Sequence, residues 1–79
     1  MHLSPAEYVI FIFNGVRATA RALGVSPSAV SKWRKPDSNG VIGIIPARAH
    51  IKILEAAEHQ GLDLTPHDLI YGRTIERAG

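Results

Sequence analysis

The sequence predicts an all-α domain, a compact bundle of about five short helices. Three segments begin with a helix-capping hydroxyl followed by proline, which suits the first turn of a helix. Apolar residues then recur at spacings of three and four, the period of one helix face. Two of the three segments end at a glycine, which readily adopts the left-handed conformation of a helix end, and the middle segment ends at Pro36. The three capped starts are Ser4-Pro5, Ser26-Pro27 and Thr65-Pro66.

Length and composition indicate a single domain over residues 1–79. Hydrophobic residues make up 46% of the chain and charged residues 20%, as in ordinary globular proteins, so we expect it to fold. The chain has no cysteine, which excludes disulfides and thiolate metal sites and suggests a reducing compartment. The longest apolar run, residues 8–13, is far shorter than the roughly 20 residues that cross a bilayer. Residues 1–7 lack the Lys or Arg of an export signal, so we expect a cytoplasmic protein with no membrane partner.

The first helix begins with a capping box, in which Ser4 and Glu7 each accept from the other's backbone N–H. It is expected to run to about Phe13 and to stop at Asn14-Gly15. A helical wheel places one group of side chains on the core side and another outside. The inward group is Ala6, Val9, Ile10 and Phe13, and the outward group is Phe11 with Tyr8 beside it.

The second and third helices lie close together in the sequence. The second runs from Val16 to Leu23 and closes on Gly24. Ser26-Pro27 opens the third, which we expect over residues 27–35 because Pro36 cannot continue it. With so short a connection, the two helices must cross steeply instead of lying side by side.

The remaining chain is predicted to hold a loop and two more helices. Residues 37–43 contain an Asn-Gly pair but no flanking apolar strand on both sides, so we predict an extended loop, with an isolated strand over residues 41–45 as the alternative. A fourth helix is expected from Pro46 to about His59, followed by a fifth that Gly72 ends. A flexible tail is expected over residues 73–79. The less polar side of the fourth helix comprises His50, Ile51, Ile53, Leu54 and Ala57.

Charge is concentrated in the middle of the chain. Residues 17–52 carry seven basic side chains against one acidic side chain, a net charge of +6. Residues 53–79 carry two basic and five acidic side chains, a net charge of −3. A concentrated positive segment suits a polyanion, because neutralised phosphates release counterions. A solvated basic surface without a partner is the alternative.

Residues 16–35 meet the steric requirements of a helix-turn-helix. Ala20 is small where the two helices would cross, and Gly24 permits the turn. Leu23 and Val25 would bury the corner, while Val30 and Trp33 would face the core from the third helix. An ordinary helical hairpin with a glycine turn is the alternative.

Residues 24–33, Gly-Val-Ser-Pro-Ser-Ala-Val-Ser-Lys-Trp, resemble the Cro and phage-repressor family of helix-turn-helix proteins. Weaker likeness extends over residues 14–17, 45–48 and 61–66. The resemblance implies a lambda-repressor-like fold and a small prophage-type transcriptional regulator, in the bacterial cytoplasm or nucleoid. It also implies a homodimer on a symmetric DNA operator. Many relatives have Gln where Pro27 stands, so their operator preference does not carry over.

A recognition helix over residues 27–35 would present its polar side to the major groove of double-stranded DNA. Lys32 is the leading candidate for a base contact, because its ammonium can bridge O6 and N7 of guanine. Ser26 also has the competing role of helix cap. The predicted base-contacting residues are Ser28, Ser31, Lys32 and Lys35. The predicted phosphate-contacting residues are Arg17, Arg21, Ser26, Arg34, Asn39 and Arg48.

Other function classes have less support in the sequence. The four histidines lack the short helical spacings of a zinc site, and Glu55 with Glu58 is typical of a solvated helix face, so we expect no enzyme, metal or cofactor. A regulator would act by occupying a promoter or by contacting RNA polymerase. The alternative is a protein-interaction module, either an antitoxin or an RNA polymerase adaptor, on the same scaffold.

Two surfaces are candidates for self-association. Phe11, with Tyr8, offers one on the outside of the first helix. Ile70 and Tyr71 on the last helix offer another, which we favour slightly because its neighbourhood is acidic and need not face phosphates. The alternative at the last helix is that Leu69 and Ile70 cover the core of a monomer.

Overall fold

The computed structural model describes residues 1–76, and helices make up most of this part of the chain. Five short helices are present within it, as the sequence predicts. A two-stranded sheet joins the two ends of the described chain. In chain order the elements are β1 (His2–Leu3), α1 (Pro5–Ile12), α2 (Val16–Leu23), α3 (Pro27–Lys32), α4 (Ala47–Gln60), α5 (Pro66–Tyr71) and β2 (Arg73–Thr74).

The helix starts form through the predicted local hydrogen bonds. At α1, Ser4 Oγ accepts from the Glu7 N–H at 3.2 Å, and a Glu7 carboxylate oxygen accepts from the Ser4 N–H at 3.1 Å. Thr65 and Asp68 make the same reciprocal pair at α5. Each box satisfies two backbone donors that a helix start otherwise leaves free.

The sheet departs from the all-α prediction and from the flexible tail predicted over residues 73–79. β1 and β2 pair antiparallel, with His2 opposite Thr74, and the Ile75 N–H donates to the Met1 carbonyl at 2.7 Å. Gly72 turns the chain back with a φ of 77°, and a Cβ at this position would collide with the Leu3 carbonyl. Residues 73–75 are therefore held against the N-terminal segment. Residues 77–79 of the predicted tail lie outside the described residues.

The core is a single cluster to which every helix contributes. Val9, Val30 and Ile53 are fully buried, and burial of one such side chain contributes about 1.5–3 kcal/mol. Trp33 is 8% exposed, as expected for a core aromatic. The cluster comprises Ala6, Val9, Phe13, Ala20, Leu23, Val30, Trp33, Ile45, Ile53, Ala57 and Leu69.

Two side chains lie on the side opposite to the one predicted. Tyr8, predicted outside, is buried, because its hydroxyl donates to the Asp63 carbonyl at 2.7 Å and the Arg73 guanidinium lies 4.8 Å from its ring centroid. Ile51, predicted on the core side of α4, is 67% exposed, since Ile53 and Ala57 occupy that side. Phe11 faces outward as predicted.

The segment between α3 and α4 is an extended loop, and residues 41–45 form no strand. The Asp37 carboxylate accepts from the N–H groups of Asn39 and Val41 at 2.8 and 2.9 Å, which closes a tight turn. The Gly43 carbonyl accepts from the Ala6 N–H at 3.0 Å and attaches the loop to α1. Within residues 1–76, no helix has both the length and the apolar character needed to cross a membrane.

Candidate nucleic-acid interface

The connection between α2 and α3 is short and fixed by backbone hydrogen bonds. Gly24 ends α2 in the left-handed conformation, with a φ of 69°. The Val25 N–H donates to the Ala20 carbonyl at 3.0 Å, and Ser26 Oγ then accepts from the Ala29 N–H at 3.2 Å to cap α3. The Ala20 side chain is buried. The start of α3 is thus held against α2 with little freedom.

Helix α3 divides into a buried and an exposed side. Val30 is buried on one side, while Ser28 and Lys32 are exposed and Ser31 is half-buried. A polar, basic surface therefore remains free for a partner.

The predicted third helix over residues 27–35 is shorter in the structure. α3 ends at Lys32, and the N–H groups of Arg34 and Lys35 donate to the carbonyls three residues earlier at 3.1 Å. The following Pro36 disfavours the α conformation at Lys35, so the chain leaves the helix in tighter turns. Lys35 is exposed, but it lies beyond α3 and not on it.

A groove between α2 and the start of α3 brings two predicted phosphate contacts together. Arg17 and Arg21 line it with Ala20, Val25 and Pro27. The two arginines are one helical turn apart and are both exposed. Their guanidinium groups can reach an anion placed beside the start of α3.

A second groove lies between α3 and the start of α4. Ala29 and Trp33 form its α3 side, and Arg48 and Lys52 line it from α4. Arg48 is a predicted phosphate contact, whereas Lys52 is not among the predicted contacts although it lines the same groove. Arg48 and Lys52 lie four residues apart on one helix, so their side chains are neighbours on its surface. This spacing could have indicated from the sequence that Lys52 lies beside Arg48.

No aspartate or glutamate lines either groove in the part of the chain that the structure describes. Cations therefore lie on both sides of α3 without a carboxylate between them. The positive potentials of the two neighbouring grooves add, so the surface as a whole favours an anion. We define the α3 surface as Arg17, Arg21, Ser28, Ser31, Lys32, Arg48 and Lys52.

Three other predicted contacts lie in different surroundings. Arg34 lines a third groove with Glu7 and Phe11. The hydrogen bond from the Ser4 N–H is the main cause that lowers the pKa of Glu7, and Arg34 adds a smaller electrostatic contribution. Asn39 lies in the turn closed by the Asp37 carboxylate. Ser26 Oγ is occupied as the cap of α3.

Other chemistry has little support in the described residues. No group of three or more His, Asp or Glu side chains in residues 1–76 is arranged to hold a metal ion. The His50 ring is half-buried, with Nε2 3.2 Å from the Ile45 carbonyl, in agreement with its predicted place on the less polar side of the fourth helix. Comparison of the chain with protein-family models, with curated proteins and with solved structures found no match.

Proposed function

We propose that the protein binds double-stranded DNA sequence-specifically, as a small transcriptional regulator of the Cro and phage-repressor type. In this proposal α2 and α3 act as a helix-turn-helix, and α3 enters the major groove. The observation that carries the proposal is the α3 surface, where an exposed polar helix side lies between two grooves lined by arginine and lysine without a carboxylate.

The dimensions and chemistry of α3 suit the major groove. The groove is about 12 Å wide and accepts a helix with its side chains, about 10–12 Å across. Lys32 would reach O6 and N7 of a guanine, while Ser28 and Ser31 would contact bases or phosphates at shorter range. Lys35 would extend the contact beyond the end of α3.

Phosphates on the two sides of the groove would meet different elements. Arg17 and Arg21 would contact one strand from α2, as the first helix of this motif does. Arg48 and Lys52 would contact the backbone from α4. Cations on both sides fix the position of α3, while the bases that it meets supply the specificity.

The proposal is tested by selecting bound fragments from random duplexes and titrating the affinity with salt. We expect a recurrent sequence among the selected fragments and an affinity that falls steeply between 50 and 200 mM salt, about 10³-fold or more if six phosphates are contacted. Weak, salt-independent affinity for every duplex would overturn DNA binding and favour the protein-interaction module.

Replacing Arg17 or Arg21 with Ala is expected to weaken binding to selected and random duplexes alike. Each substitution removes one phosphate contact, so the slope of log affinity against log salt should decrease by about one. Tyr71→Asp is the matched control, because it lowers the net charge by the same amount at an exposed site on α5. An unchanged slope in the arginine variants would remove them from the interface.

Replacing Lys32 with Ala is expected to affect one base pair of the selected site. Discrimination at that position should fall by about 1–3 kcal/mol, measured as the affinity ratio between the selected site and its point variants. Lys52→Ala loses the same charge at a proposed phosphate contact and should weaken all sites equally. Equal weakening by Lys32→Ala would instead assign Lys32 to a phosphate.

A further inference from the structure

A groove of about 530 Å³ lies beside α1, apart from the α3 surface. Its apolar lining includes Ile10 and Phe11 from α1, together with Met1 and Ile75, which lie next to β1 and β2. Phe11 is 61% exposed and Met1 is 66% exposed. Large apolar side chains around a concavity mark an interaction surface more strongly than isolated exposed ones do.

Two opposite charges line this groove. Glu7 lies on α1, and Arg34 follows the end of α3. Within residues 1–76 both ion pairs closer than 4 Å involve Arg73, so Glu7 and Arg34 make none with each other. In a two-fold contact, residue i of one copy meets residue j of the other and the reverse. Such a contact can pair Glu7 with the partner's Arg34 twice, once in each direction.

We propose that this groove is the interface with a second copy of the chain. The choice of occupant rests on the proposed function, because a symmetric operator needs two copies of α3 about 34 Å apart. The charges support it independently, since an apolar lining that carries one acid and one base can meet a second copy of itself with opposite charges in contact. Because Arg34 lines the groove and follows the end of α3, the groove lies near the C-terminal end of that helix. Pairing through the groove would direct the C-terminal ends of the two α3 helices toward the symmetry axis.

The exposed side of α5 is the competing surface, and it lacks this complementarity. Ile70 and Tyr71 are exposed there, but the Tyr71 ring already packs on His67 at a centroid distance of 4.6 Å. Asp68 and Arg73 pair with each other, so neither of them is available to pair with a second copy. We therefore assign self-association to the α1 groove, unlike the slight preference for the last helix drawn from the sequence.

The interface is tested by sedimentation velocity of the free protein over a range of concentrations. We expect a monomer–dimer equilibrium whose dissociation constant rises at least about tenfold in Phe11→Asp, as for loss of a central aromatic anchor. Tyr71→Asp is the matched control, because its side chain is 62% exposed and the substitution is the same. Circular dichroism checks that both variants fold.

A second variant pair tests the charges without altering the apolar centre. Arg34→Glu should weaken the dimer, because each Glu7 then faces a glutamate. Adding Glu7→Gln, which keeps an oxygen for the helix cap, should restore part of the loss. A monomer at all concentrations, or a dimer weakened by Tyr71→Asp and not by Phe11→Asp, would overturn the inference. A dimer that binds no duplex would overturn only the proposed function.

Discussion

Trp33→Ala is expected to lower the free energy of unfolding by about 3–5 kcal/mol, the usual cost of removing a large core aromatic. Trp33 is 8% exposed and belongs to the core cluster. It also lines the groove between α3 and α4, with Ala29 and Ala49. The cavity would thus open between the helix proposed to read DNA and the helix that supports it. A domain of this size has only about 4–12 kcal/mol of stability in total.

Thermal unfolding measures this effect directly. A loss of this size should lower Tm by more than about 12 °C in so small a domain. Tyr71→Ala is the matched control, since it truncates an aromatic side chain that is 62% exposed, and it should change stability little. An unchanged Tm in Trp33→Ala together with lost DNA binding would assign Trp33 to the DNA contact instead of the core.

The helices could be predicted because their signals are local. Ser4, Ser26 and Thr65 cap helices through bonds to residues three positions later, so the sequence alone contains both partners. Gly24 and Gly61 end helices in the left-handed conformation, which needs no distant contact. The boundary missed by the largest margin is the end of α3, where the effect of Pro36 extends back to the residue before it.

The sheet and the position of Tyr8 could not be predicted in the same way. β1 pairs with a strand about seventy residues later, and two-residue strands leave no periodic pattern. Tyr8 is drawn inward by the Asp63 carbonyl and by Arg73, neither of which lies near it in sequence. Such tertiary contacts decide burial where the pattern on a short helix leaves two sides nearly equal.

The candidate site also contains residues whose placement follows from local sequence and residues whose placement depends on tertiary contacts. Arg17 and Arg21 share a helix face by their spacing, so their common groove follows from the sequence. Lys52 could have been found by extending the same spacing from Arg48. The surroundings of Arg34 depend on the path of the chain after α3, which brings it beside Glu7. The local sequence does not predict the path of the chain after α3.

Asp68→Asn is expected to destabilise the protein by about 2–4 kcal/mol. The Asp68 side chain is 5% exposed, and its carboxylate accepts from Arg73 Nε and an Arg73 terminal nitrogen and from the Thr65 N–H. Removing one member of a buried pair typically costs about 3–5 kcal/mol, and the partial exposure of Arg73 reduces this. The variant therefore weakens both the α5 cap and the link from α5 to β2.

The control for this effect is Asp63→Asn, measured by urea unfolding beside Asp68→Asn. Asp63 contacts the same guanidinium at 2.7 Å, but its side chain is 79% exposed. Exposed pairs contribute about 0–1 kcal/mol, so the control should lose little stability. Equal losses in the two variants would show that Arg73 is held by both carboxylates alike, and that burial of Asp68 does not set the cost.

The contribution of Asp68 is also expected to disappear in acid. Although burial alone would raise the pKa of Asp68, hydrogen bonds from Arg73 and Thr65 hold it below its ordinary value of 3.8. The unfolded chain then takes up the proton more readily than the native protein, so this stabilisation is complete above pH 3.8 and is lost as pH falls through the native pKa. The unfolding free energies of the unmodified protein and of Asp68→Asn should show their whole difference at pH 7. The two values should converge in that acid range. A gap that stays constant down to pH 2 would show that the carboxylate charge contributes nothing and that the variant acts only through its altered hydrogen bonds.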